Sequence, residues 1–379
     1  MTTGACSLDS VCRAVPDVAA RAGGVAELGD ELSLQVGRVV PHDGYLLTGF
    51  DPVTGARCFL ACRNSYDAAA RRRMDSEDAL GRSRSPVADL VRGAFPAVVL
   101  GAGAWDERPG TRRLHRIMAA ESYGSELCVA LVHRGVPRGA LVLLRERGSR
   151  PFSPAEATRA ADLAEPLALA VRAFVTARPL RPRHFRFPPM VVIIGADDRI
   201  IGMTSTGADP LHRLLPGVYP TRRGRTADPA ERFGFLWHIV YTARRTAAPA
   251  LTRAPTSHGW FSLQAQPLLS GTAGDTGDAG DAGDANGIGG GGDGVGVGGG
   301  VVVTLQPAPA ADLLPALASW YGISARERTV VEQALRGEAV KQIARRLHLS
   351  PHTVNDHLKA IYRKTGVSSR EELIACLSC

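Results

Sequence analysis

Between Gly271 and Gly300 half of the residues are glycine, and most of the others are aspartate, alanine or threonine. No core can form from such a stretch. Glycine loses the most backbone entropy on ordering, and Gly-Asp-Ala units have almost no apolar surface to offset that loss. The tract is therefore expected to be a flexible loop or linker, with folded blocks on either side. Its three-residue spacing lacks the regular apolar position of calcium-binding repeats, so a solvated loop is the expected reading.

The chain has 379 residues, enough for two or three domains at roughly 100–200 residues each. Apolar residues make up 45% and charged residues 22%, the balance of a soluble globular protein. A formal charge of +8 favours contact with a polyanion. Met1 to Asp9 has no basic stretch followed by an apolar run, and no segment approaches the roughly 18 apolar residues of a membrane span. A cytoplasmic protein without membrane contact is expected. Seven cysteines, an odd number spread thinly, argue against a secreted disulfide framework.

Ahead of the glycine tract the chain reads as two mixed α/β units. In the first, a helical stretch around Leu28 to Val39 leads into Tyr45–Phe50, the turn Asp51-Pro-Val-Thr-Gly55, and Cys58–Cys62, which is hairpin grammar. A second hairpin joins Leu127–His133 to Gly139–Arg145. A helix over about Pro154 to Phe174 follows, opened by a capping-box pair, Ser153 and Glu156. This order resembles a GAF domain over about residues 15–176. The second unit opens with Met190–Ile194, a turn and Arg199–Met203. It continues with a helix over about Ala230 to Arg245 and strands at Gly259–Gln264 and Val301–Gln306. It resembles a PAS-type fold over residues 185–310, which makes the glycine tract an insertion between its last two strands. Loop closure rises only about 0.6 kcal/mol per doubling of length, so such an insertion is tolerable.

From Tyr321 the pattern changes to short helices in quick succession. Ser324 and Glu327 make a capping box, Val330, Val331, Ala334 and Leu335 share a face, and Gly337 ends the helix. A second helix covers Val340 to His348. Ser350-Pro351 caps and starts a third, which runs to about Lys364 and stops at Gly366. On that helix Val354, Leu358 and Ile361 form one stripe, and His352, Asn355, Asp356, Lys359 and Arg363 form the opposite one. Ser369 and Glu372 open a short last helix. Two helices on a tight turn, the second polar and basic outside, suit a recognition helix in the DNA major groove.

The segments Ile323-Ser-Ala-Arg-Glu-Arg328, Lys341-Gln-Ile-Ala344, Leu349 to Lys359 and Ile361 to Arg370 resemble the LuxR-type (LuxR/GerE/NarL-like) DNA-binding domain. The resemblance spans about a sixth of the chain, residues 315–379. It implies a bacterial transcriptional regulator that binds double-stranded DNA as a homodimer, pairing across Ser369 to Leu377. By the same resemblance Asn355, Asp356 and Lys359 face bases, while Thr353, Lys341, Arg363, Lys364 and His352 contact phosphates. Asn can pair with adenine, Lys with guanine and Asp with cytosine. Asp356 either accepts from cytosine or orients Lys359. The sequence departs from the family pattern where Ala339 and Val340 stand at a usual Ser, Thr or Asn cap, and where Thr365 replaces a usual leucine. The expected fold class is thus multidomain, GAF-like and PAS-like α+β units followed by an all-α four-helix helix-turn-helix domain.

No phosphate loop, H-E-x-x-H, nucleophile elbow or kinase signature is present, so neither enzymatic activity nor a cofactor is expected. Cys58 and Cys62 read as strand packing. Cys376 and Cys379 lack two further ligands for zinc. His133, His238 and His258 read as structural. The GAF-like and PAS-like units suit a small-molecule or protein effector. The alternative is a protein-interaction scaffold with secondary DNA binding.

Overall fold

The computed structural model describes residues 7–79, 86–101, 109–177, 180, 188–204, 234, 236–256, 259–268 and 299–377. The glycine tract up to residue 298, His258 and Cys379 lie outside them.

In the first unit two helices, α1 (Leu8–Arg21) and α2 (Val25–Gly37), precede strands β1 (Gly44–Phe50) and β2 (Arg57–Arg63). Then come α3 (Ala68–Ala79), α4 (Pro86–Arg92), β3 (Ala97–Gly101), α5 (Pro109–Ala120), β4 (Tyr123–His133) and β5 (Val136–Glu146). Helices α6 (Pro154–Asp162) and α7 (Ala164–Thr176) close the unit. The strands form one antiparallel sheet in the order β2-β1-β5-β4-β3. Both expected hairpins are present. The β4–β5 turn is made by Arg134 and Gly135, with φ of 51° and 74°, as a two-residue turn matched to strand twist requires.

Alternation along the strands sends Leu127, Val129, Leu141 and Leu143 to one face, where they join α1, α2 and α7 in the main core. Leu46, Val142 and Leu144 lie on the other face, with Tyr66 and Ile117. This is the period-2 partition expected of strands. The single closing helix expected over 154–174 is instead two, broken at Leu163. Pro166 explains the break, because it has no N–H to offer the carbonyl of Asp162 and its ring crowds that turn.

The second unit contains β6 (Met190–Ile194), β7 (Ile200–Met203), α8 (Leu236–Thr246), β8 (Ala250–Thr256), β9 (Gly259–Pro267) and β10 (Val301–Pro307). Its sheet order, β7-β6-β10-β9-β8, repeats that of the first. One face packs on α8 through Val192, Leu263, Val303, Ile239 and Val240. β9 and β10 are direct antiparallel neighbours, so the glycine tract is the connection of a hairpin. The helix expected from 230 is described only from Leu236.

The two units meet at β2 and β8. Asp51 Oδ2 accepts from Arg253 Nη1 at 2.7 Å and from the Arg253 amide at 3.0 Å, while the Thr252 hydroxyl donates to the Arg57 carbonyl at 2.9 Å. The Arg72 guanidinium lies 5.2 Å from the Trp237 ring centre.

After β10 comes α9 (Ala310–Tyr321), which contains Pro315, so the domain start expected at 315 falls inside a helix. An interior proline costs about 3 kcal/mol. Leu313, Leu314, Leu317 and Trp320 are all buried there, each contributing roughly 1.5–3 kcal/mol, and they outweigh it. Among the described residues no helix is long and apolar enough to cross a membrane.

Candidate nucleic-acid interface

Four short helices end the described chain: α10 (Ala325–Leu335), α11 (Val340–Leu347), α12 (Pro351–Thr365) and α13 (Arg370–Leu377). Each start and stop is chemically specified. The Ser324 hydroxyl accepts from the Glu327 amide at 3.2 Å, and Glu327 Oε2 accepts from the Ser324 amide at 2.6 Å. Gly337, at φ 83°, ends α10 in the left-handed region that glycine tolerates. Ser350 caps α12 by accepting from the Thr353 amide at 3.0 Å, with Pro351 at the first helical position.

The turn between α11 and α12 is centred on His348, which is left-handed at φ 54°. Its amide returns to the carbonyls of Ala344 and Arg345. Ala339 has no side-chain acceptor, but Gln342 Oε1 accepts from its amide at 2.8 Å. Half of a capping box survives the missing hydroxyl.

Val354, Leu358 and Ile361 are buried, as the stripe on α12 predicts. On the opposite face His352, Asn355, Asp356, Lys359 and Arg363 are exposed, with Thr353 half-buried beside the Ser350 hydroxyl at 2.9 Å. Lys341 is exposed on α11. Asp356 Oδ2 lies 3.4 Å from His352 Nε2, one turn back, so its partner in the free protein is His352 rather than Lys359. Arg345, which the sequence reading passed over, is also exposed one turn beyond Lys341. The i,i+4 spacing of the two cations was the available signal.

Lys364 is placed differently from the other cations. Its ammonium donates to Glu327 at 2.6 and 2.9 Å and to the Gly322 carbonyl at 2.8 Å. Burial raises the Glu327 carboxyl, but Lys364 and the Ser324 cap outweigh it and hold the carboxyl below its ordinary value. Thr365 is 1% exposed and its hydroxyl donates to the Ile361 carbonyl at 2.8 Å. That bond satisfies the polar group a leucine would lack.

The back of this helical group is joined to the first unit. Arg138 on β5 donates to the Ser319 hydroxyl at 3.2 Å and carbonyl at 2.9 Å, with its guanidinium 4.8 Å from the Trp320 ring centre. Arg172 on α7 donates to the Trp320 carbonyl at 2.8 Å. The Leu180 amide donates to the Thr365 carbonyl at 3.1 Å, at the end of α12. One continuous core runs from α1 and α7 through α9 into the helical group. Among the described residues, the side chains of Asn355, Lys359 and Arg363 on the polar face of α12 form no hydrogen bond or ion pair, and His352 and Asp356 pair with each other.

Residues 322–377 match the family described as bacterial regulatory proteins, luxR family. A protein of Mycobacterium bovis named as an HTH-type transcriptional regulator is 42% identical over 55 residues, 14% of this chain and 6% of that protein. The transcriptional regulatory protein NarL of Mycobacterium tuberculosis is 40% identical over 53 residues, 14% of this chain and 24% of that protein. The chain thus matches these relatives over a quarter of their length or less. The GAF domain of a phosphoenolpyruvate-protein phosphotransferase from Coxiella burnetii aligns with 45% of this chain and 95% of that domain, at 15% identity and a TM-score of 0.28. A score of that size carries no fold assignment, and the architecture stands on the strand orders above.

Proposed function

With residues 322–377 forming a luxR-family helix-turn-helix domain, we propose that the protein is a sequence-specific regulator of transcription that binds double-stranded DNA through α12. The observation that carries this reading is the exposed polar face of a firmly capped helix, with Asn355, Asp356 and Lys359 at its centre. Asn355 is assigned to adenine, Lys359 to guanine O6/N7 and Asp356 to cytosine N4. Lys341, Thr353, Arg363 and His352 surround them as phosphate contacts, and Arg345 joins that set. Lys364 acts first as the partner of Glu327.

The modular reading is a GAF-like unit over 15–176, a PAS-like unit over 185–310 and the DNA-binding unit over 315–379. The repeated strand order of the two sheets supports it. We assign the first two units to signal reception by a small-molecule or protein effector. Links from Arg138 and Arg172 of the first unit to Ser319 and Trp320, and from Leu180 to Thr365, support a route from an effector to α12. Two copies would pair through α13 on a two-fold-symmetric site.

Selection from a random DNA pool by the full-length protein, at stated salt because phosphate contacts make affinity salt-dependent, tests this reading. A single enriched motif is expected. Lys359→Ala should cost about 1–3 kcal/mol and relax preference at one position, whereas Arg363→Ala should weaken all sequences alike and reduce the salt slope by about 1. Absence of any motif would favour the scaffold.

A further inference from the structure

The first unit lines most of a partly open cavity of about 320 Å3, at the lower end of the roughly 300–1,000 Å3 usual for small-molecule sites. Its floor is the sheet face carrying Leu46 and Val142, and its roof includes Met74 and Ile117 from α3 and α5. One side is completed by His238 on α8, so the second unit supplies part of the wall. Burial, with Arg57 and Arg245 beside it, lowers that imidazole to about 3, which leaves it uncharged near neutral pH.

Set in this mostly apolar wall is Glu126, on β4 and 5% exposed. The Tyr66 hydroxyl donates to its Oε2 at 2.5 Å, and the Cys128 thiol donates to its Oε1 at 2.9 Å. Both donors are neutral, and a carboxylate has about four acceptor sites. Asp75 in the same wall is ion-paired through Oδ1 with Arg57 at 2.5 Å, and its Oδ2 has no hydrogen-bond partner among the described residues. The Arg71 guanidinium donates to the Tyr66 carbonyl through Nη1, and its Nε has no hydrogen-bond partner among the described residues. Glu126 forms no ion pair among the described residues, and burial holds its carboxyl above the ordinary range. A buried acid without a counter-charge is costly even when hydrogen-bonded, and a cationic ligand that brings the counter-charge offsets that cost.

We propose that this cavity binds a small protonated amine with an apolar body, its nitrogen donating to Glu126 and its hydrocarbon lying against Leu46, Met74, Ile117 and Val142. Because His238 completes the wall, the occupant touches both sensor units and tightens their junction. That the amine is the regulatory signal rests on the regulator reading above; amine binding itself does not.

The test is calorimetry and thermal unfolding of the full-length protein, without DNA, against hexylamine, benzylamine and 2-phenylethylamine, with 2-phenylethanol and phenylacetate as uncharged and anionic counterparts. At least one amine should bind saturably and raise the melting temperature, at least tenfold more tightly than its alcohol, while the carboxylate does not bind. Glu126→Gln should weaken the amine at least tenfold and leave the alcohol unchanged. Ala140→Leu, which fills the cavity from β5, should weaken both, and it serves as the second variant if Glu126→Gln unfolds. No binding by any amine, equal binding of amine and alcohol, or amine affinity unaltered in both variants would overturn the proposal. Repeating the DNA selection with the amine separates the two readings. Amine binding with an unchanged DNA profile keeps the site and removes its regulatory role, and absence of DNA binding both with and without the amine removes the regulator and leaves the site.

Discussion

Glu327 closes the cap of one helix and holds a lysine from another, so a single carboxylate ties the start of α10 to the end of α12. Removing it opens a cap worth about 0.5–2 kcal/mol and a charged hydrogen bond worth about 1.5–3 kcal/mol. Glu327→Ala is therefore expected to lower unfolding free energy in urea by about 2–4 kcal/mol, the two losses overlapping. Lys364→Met should also destabilise while leaving the selected DNA motif unchanged, and a changed motif would return Lys364 to the DNA face. Glu156 sets a pH dependence of similar origin. Burial raises its carboxyl, but Arg145 Nη2 at 2.8 Å and the Ser153 cap bring it down to about 2 from an ordinary 4.5. A depressed carboxyl stabilises the fold above its unfolded value and loses that contribution as pH falls through the folded one. Melting temperatures should therefore fall between about pH 4.5 and 2, and less steeply in Glu156→Gln.

At the level of single elements, caps and breakers account for most boundaries. α11 begins at Ala339 with only the Gln342 half of a capping box. Ala339→Ser would add the hydroxyl for the Gln342 amide, and a gain of about 1 kcal/mol is expected. Urea unfolding of the full-length variant measures it, and no gain would mean that the Gln342 contact already satisfies the helix start. α9 shows the opposite balance. Pro315 reads as a stop in sequence, yet the helix passes through it, because four large apolar side chains on that helix are buried against neighbouring elements. Proline at 166 does break its helix, so the outcome of a breaker depends on what the surrounding turns bury.

Across the whole molecule, the charge pair between the two N-terminal units is the most exacting contact. Asp51 is fully buried and the Arg253 side chain is 6% exposed. Breaking such a pair leaves an uncompensated buried charge, which costs about 3–5 kcal/mol. Arg253→Met should lower the melting temperature strongly, and the double change Arg253→Met with Asp51→Asn should restore part of it. A near-wild-type single variant would show that water enters the junction. Arg138, Arg172 and Leu180 extend the same logic to the helical group, whose core is continuous with the first unit.

The local elements of this chain were readable from its residues because their determinants lie within a few positions of one another. Ser324 with Glu327, Ser350 with Pro351, the stripe of Val354, Leu358 and Ile361, and the alternation of the hairpin strands are all such short-range patterns. The outward face of α12 followed from the same stripe. Partnerships across the chain were not readable. Asp51 was recognisable as a turn residue, but its partner Arg253 is 202 positions away. The binding of Lys364 by Glu327, the insertion of His238 into the wall around Glu126 and the docking of Trp320 under Arg138 are of the same kind. Backbone propensity and side-chain period act over a turn or two. Which buried charge meets which counter-charge is decided only when separate elements are brought together and water is excluded between them.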